Sequence, residues 1–313
     1  MAFSGYVFEN ASAITPYLEH PRTGPTSKFC SELARKLKCY VIAGFPEKLS
    51  LTEDRKINQV GANSAAFYGP DGEWVGGYRK SHLFETDLTW AKPGVGMLYP
   101  FPSFIFSITF QGTGFATFSL PSPLHTITLG ICMDLNPQVP DWTRADGPYE
   151  IADHCISTKS NILILLNAWL DSKEEPNETH DWSTLNYWAL RTRPLWSNGS
   201  DSDSSSSEEG QGSSTSDPPS NETLVIICNR TGHENGQNCF VSSLSSFTDK
   251  VIINRENIRR KFRHLQHATS FRSSQTPWHD GQARRRRIHM EYTNFKLIYL
   301  CHFLEYNDDE APE

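Results

Sequence analysis

Thr126-Ile127-Thr128-Leu129-Gly130-Ile131-Cys132-Met133-Asp134-Leu135-Asn136-Pro137 is the stretch that decides the fold. Its first half is a short run rich in β-branched residues, and it turns polar just past a cysteine. A run of this length closed by turn residues reads as a strand, 126–132, covered on both faces. The C-terminal edge of such strands is where α/β sheets bind ligands and expose nucleophiles. Cys132 therefore reads in two ways. Following backbone amides would lower its thiol pKa and bind a developing oxyanion; alternatively it is the small inert hydrophobe that a strand cysteine most often is.

The same texture recurs on both sides, at 39–45, 162–166 and 224–228. Runs at 65–68 and 74–78 flank Gly69-Pro70-Asp71-Gly72, where Asp-Gly supplies the positive φ of a tight turn, so they predict a hairpin. Between the strands, 26–38 carries Leu33 and Leu37 on one helical face, and 182–191 carries Tyr187, Trp188 and Leu190. Strands interleaved with helices predict an α/β domain. The hairpin leads into Tyr78-Arg79-Lys80-Ser81-His82-Leu83-Phe84. Lys80 is either a solvated hairpin end or a charge placed beside a tetrahedral intermediate. Glu85 and Asp87 are carboxylates able to position it, or members of a charged loop.

The 313 residues carry 29 Lys and Arg against 36 Asp and Glu, a net charge of −7, which disfavours a polyphosphate partner. No nucleic-acid partner is expected. Seven cysteines without paired spacing argue for a reducing compartment rather than a disulfide framework. Met1 to Val7 lack a signal-peptide pattern. No stretch reaches the roughly 18 apolar residues of a membrane span, so a cytoplasmic protein with no membrane association is expected. The His residues show no ligand spacing, Cys-x-x-Cys is absent and no glycine-rich phosphate loop is present, so neither a metal nor a cofactor is expected. Eleven of the residues 197–220 are Ser, most others being Asp, Glu, Gly or Pro. Such composition cannot offset its ordering entropy, and 197–222 is expected to be a disordered insertion. The last part, 250–313, is expected to be a basic, irregular tail, with Arg284-Arg285-Arg286-Arg287 inside it.

Taken together, the hairpin, the Tyr-Arg-Lys-Ser-His-Leu segment, the strand ending Gly-Ile-Cys-Met-Asp and the Tyr-Trp-x-x-Arg helix resemble the carbon–nitrogen hydrolase (nitrilase) superfamily. Ala2-Phe3-Ser4-Gly5-Tyr6, 78–87, 132–137 and Cys228-Asn229-Arg230-Thr231-Gly232-x-Glu234 resemble in particular the fungal protein N-terminal amidases. The resemblance covers roughly 1–245 and places a hydrolase domain at 1–249. It implies an α-β-β-α sandwich, here lacking its first strand and irregular at its C-terminal end. It also implies a Glu-Lys-Cys catalytic set in which Cys132 matches the nucleophile and Lys80 the lysine that steadies the oxyanion. The family's general-base Glu lies immediately before the segment matching Ala2-Phe3-Ser4-Gly5-Tyr6, a place that here falls on Met1 or beyond the start of the sequence. Glu47, which ends the next strand, is expected to hold a structural hydrogen bond instead.

The activity implied is deamidation of N-terminal Asn, and of Gln, in polypeptides through a Cys thioester with release of ammonia. The pathway implied is N-terminal-residue-dependent degradation. A free α-amino group in a closed site needs carboxylates or carbonyls to replace its water. Asp134 and Glu234 are candidates for that role, against the plainer readings of a turn cap and a loop acid. Trp169 is a candidate pocket wall, or a packing residue. The alternatives are another linear-amide or nitrile hydrolase with the same Cys and Lys, and a catalytically dead member that binds without turnover. The oligomeric state is not readable.

Overall fold

The computed structural model describes residues 1–94, 114–137, 147–174, 181–196 and 223–230, and the backbone of short strands at 108–109, 232–234, 237–239, 250–253 and 297–299. In chain order these hold helices α1 (Ala11–Ile14) and α2 (Pro25–Leu37) and strands β1 (Tyr40–Lys48), β2 (Gly61–Tyr68) and β3 (Trp74–Arg79). Next come α3 (Glu85–Leu88), β4 (Ile108–Thr109), β5 (Ala116–Ser119), β6 (Thr126–Ile131), α4 (Glu150–Ser157), β7 (Ile162–Asn167) and α5 (Trp182–Arg191). The last are β8 (Leu224–Asn229), β9 (Gly232–Glu234), β10 (Gln237–Cys239), β11 (Lys250–Ile253) and β12 (Leu297–Tyr299).

Two larger sheets form, in the orders β12-β1-β2-β3 and β11-β8-β7-β6-β5-β4. β6, β7 and β8 run parallel, so their C-terminal ends share one edge. β1 shows why its sequence is almost continuously apolar. Tyr40 and Ile42 join the core shared with the second sheet, whereas Val41, Ala43 and Phe45 join a cluster with Cys30 and Ala34 of α2. A strand covered on both faces has no polar face to show. Across the interface between sheets, Phe67 meets Phe118 edge-on at 5.5 Å. A Cβ at Gly76 would lie 2.3 Å from that Phe118 ring, so only glycine lets the sheets approach there. On the outer side of β6, Thr128 bonds Ser160 at 2.6 Å, and a Cβ at Gly130 would strike Ile151 of α4. The layers are thus α2, sheet, sheet and α4, an α/β sandwich of the expected kind.

The helix over 25–37 starts at Pro25, and the Glu19 carboxylate accepts both the Thr26 N–H and the Thr26 hydroxyl at 2.7 Å. It stops at Lys38, which takes a left-handed conformation (φ 49°). The hairpin forms as read, but β2 begins four residues earlier than its apolar part, at Gly61. Asn63 and Ser64, polar in the sequence, are buried there because Asn63 donates to Asp87 and Ser64 to Glu47. The Ser-rich segment 197–222 and the Arg block at 284–287 lie outside the described residues. From the region read as a basic tail, β11 pairs antiparallel with β8, and β12 pairs parallel with β1. Among the described residues, no helix is long and apolar enough to cross a membrane.

Candidate active site

Strand alternation sorts the end of β3 onto two faces. Tyr78 belongs to the core between the sheets, and Lys80 follows it on that face, wholly buried. Arg79 points the other way, where its guanidinium donates to both oxygens of Glu47 at 2.8 and 3.0 Å and to Glu53 at 2.6 and 3.2 Å. Glu47 also accepts from Ser64 at 2.7 Å. It therefore serves the outer face of the sheet, as a structural acid, on the side away from Lys80.

The Lys80 ammonium meets Asp87 Oδ2 at 2.5 Å, with both side chains fully buried. Phe84 N–H (3.0 Å) and the Tyr6 hydroxyl (3.2 Å) donate to the same oxygen, and Asn63 Nδ2 donates to Asp87 Oδ1 at 3.1 Å. The Tyr6 ring lies 5.7 Å from the ammonium. Burial alone would strip Lys80 of its proton, but Asp87, Tyr6 and Cys132 around it hold its pKa above the ordinary lysine range. Asp87 is thus the carboxylate that faces Lys80. Glu85, on the other side of the short α3, is exposed and makes no such contact.

Cys132 opens a 3-10 turn directly after β6, with φ at +48°, a conformation that non-glycine residues rarely adopt. Its N–H donates to Asn167 Oδ1 at 3.0 Å. It lines a cavity of about 30 Å³ with Met1, Ala2, Tyr6, Gly44, Asn63, Ile131, Leu166, Asn167, Ala168 and Arg230. That is space for about two waters or the head of a carboxamide. Burial pushes the thiol pKa up and the Lys80 charge opposes the shift. Labelling of Cys132 in the free protein by a small thiol reagent should therefore keep accelerating past pH 9, which a stopped-flow pH series would read directly. A plateau near neutrality would contradict this.

Asp134, two residues on, is buried and fully used. Its Oδ1 accepts from Ser81 N–H (3.0 Å) and His82 N–H (2.8 Å), and its Oδ2 from Ile131 N–H (2.7 Å) and the Tyr78 hydroxyl (2.8 Å). One carboxylate thus ties the residues after Lys80 to the turn that carries Cys132. Asp134→Ala would strand these buried donors and should cost on the order of 3–5 kcal/mol, measurable as a lowered denaturant midpoint.

Trp169 is half-buried outside this cavity, against Tyr187 and Trp188 at ring distances of 5.8 and 5.9 Å, and its N–H donates to Asn229. Glu234 falls in β9, and its side chain lies outside the described residues. Besides Cys132 and Lys80 the site brings together Tyr6, Asn63, Asn167 and Arg230. Of these, Asn167 and Arg230 had a usable signal, because each follows the apolar core of a parallel strand on the edge that holds Cys132. No cluster of three or more His, Cys, Asp or Glu able to hold a metal ion occurs among the described residues.

The chain is also similar to known proteins. The chain is 29% identical over 253 residues to the protein N-terminal amidase of Schizosaccharomyces pombe, covering 76% of this chain and 73% of that protein. It is 27% identical over 174 residues to the protein N-terminal amidase of Saccharomyces cerevisiae, covering 55% of this chain and 35% of that one. A crystal structure of N-terminal amidase with an Asn-Glu-Ala peptide shares the fold, with a TM-score of 0.52 and 17% identity over 80% of this chain and 79% of that chain. Residues 2–137, which contain both Lys80 and Cys132, match the carbon-nitrogen hydrolase family. The part of the chain that is similar to this family is thus the part that carries the buried Lys80 and Cys132.

Proposed function

We propose that the protein removes ammonia from the side-chain carboxamide of an N-terminal Asn, and of Gln, leaving Asp or Glu at the head of the polypeptide. The observation that carries this reading is a strained, buried thiol on a small cavity with a buried ammonium near enough to bear on its charge, in a chain similar to two protein N-terminal amidases. The Cys132 thiolate adds to the carboxamide carbon, ammonia departs, and water releases the acid from the thioester. Lys80, kept charged by Asp87, offsets the negative charge that gathers on the carbonyl oxygen. A thiol held protonated at rest needs a base when substrate arrives. The products begin with acidic residues and would feed N-terminal-residue-dependent degradation in the cytoplasm.

The test is ammonia release from an Asn-initiated peptide, beside the same peptide acetylated at its α-amino group. Release from the free peptide alone supports the proposal. Equal release from both would assign the site to a general linear-amide hydrolase. No release from either would leave a binding protein.

A further inference from the structure

Asn167 ends β7 beside the strand that ends at Cys132, and it is 6% exposed. Its Oδ1 accepts the Cys132 N–H at 3.0 Å. Because that partner is a donor, the orientation of the amide is fixed, with the oxygen toward Cys132 and Nδ2 turned to the other side. Nδ2 is buried and has no hydrogen-bond partner among the described residues. Of the cavity-lining residues, Asn167 is the one that carries such an orphaned polar atom among the described residues. Asn229 occupies the matching register position on β8, yet it spends both ends of its amide on Trp169, accepting from N–H at 2.8 Å and donating to the carbonyl at 3.4 Å. Asn63, also on the cavity, donates to Asp87. A buried donor left unpaired is costly, and it persists where a ligand completes it.

We propose that Asn167 Nδ2 binds the carbonyl oxygen of the carboxamide that Cys132 attacks. The inference rests on the function proposed above and adds a substrate-contacting residue to it. As Sγ bonds to the carbon, the carbonyl π electrons move onto the oxygen, and the Asn167 N–H and the Lys80 ammonium share that charge. When the tetrahedral species collapses, the C–N bond breaks, the nitrogen leaves as ammonia carrying the proton that the Cys132 thiol gave up, and the thioester carbonyl re-forms. Since Asn167 also holds the Cys132 backbone, donor and nucleophile are kept in register with each other.

Two variants separate this role from a structural one. Asn167→Asp keeps an oxygen for the Cys132 N–H and loses the donor, whereas Asn167→Ala loses the donor without adding charge. Each is compared with wild type by three readings: ammonia release from the Asn-initiated peptide, labelling of Cys132 by methyl methanethiosulfonate, and protection from that label by propionaldehyde. The thiosulfonate has no carbonyl, so the ratio of ammonia release to labelling at one pH cancels changes in thiolate fraction. That ratio should fall on the order of 10²–10³-fold in both variants, the usual loss for an oxyanion donor. Propionaldehyde adds to the thiol to give a hemithioacetal oxygen at the same place, and its protection should weaken at least tenfold, or roughly 1.4 kcal/mol. An unchanged ratio in either variant, including an equal fall in turnover and labelling, overturns the proposal. If wild type releases no ammonia the amidase reading fails on its own, and the aldehyde series still decides Asn167. Weakened protection then supports the donor; undiminished protection, or none in wild type, overturns it.

Discussion

Cys132→Ala is expected to abolish ammonia release from an Asn-initiated peptide, by on the order of 10⁴-fold or more, while leaving the fold intact. The chemistry has no second route once the sulfur is gone, because the thioester cannot form. The structural cost is small for two reasons. The N–H that donates to Asn167 is backbone and remains, and removing one buried sulfur from the core edge costs about 1 kcal/mol. A melting temperature lowered by only a few degrees, together with lost turnover, would establish the thiol as the nucleophile. Undiminished turnover in the variant would remove Cys132 from the mechanism.

Lys80→Met should be severe in both respects. The Asp87 carboxylate would keep its bonds from Tyr6, Asn63 and Phe84 but lose its paired cation in an enclosed site. Breaking a buried pair on one side costs about 3–5 kcal/mol, because the remaining charge is left uncompensated. Turnover should fall by at least about 10²–10³-fold as the oxyanion loses its cation. The companion variant Lys80→Met/Asp87→Asn separates the two effects. Removing both charges should restore much of the stability and none of the activity. Recovery of activity in the double variant would show that Lys80 serves the fold alone.

Asp134 shows how a motif residue acquires its role from long-range packing. Two residues from the thiol, it has the spacing expected of a substrate contact, yet the structure gives all its bonds to Ser81, His82, Ile131 and Tyr78. In sequence Glu85 and Asp87 are both open to Lys80, or both members of a charged loop. The short helix that begins at Glu85 turns Asp87 inward and leaves Glu85 in solvent, so the choice is one of helical phase. The apolar run at 65–68 stops short of the start of β2, because Asn63 and Ser64 are polar and the partners that bury them lie 24 and 17 residues away.

What the sequence determined by itself is the six longest strands, β1, β2, β3, β6, β7 and β8, and the chemistry available at their ends. Apolar runs covered on both faces declare themselves through composition, and the Lys80 and Cys132 segments follow them directly. Only the tertiary structure decided which acid holds Lys80, that Glu47 works on the outer face with Arg79, that Asp134 joins the segments after Lys80 and around Cys132, and that Asn167 keeps a donor in reserve. Local periodicity records which residues prefer to be buried. It carries no register between strands, and a buried polar group is assigned its role by whichever distant partner, or absence of one, the packing brings to it.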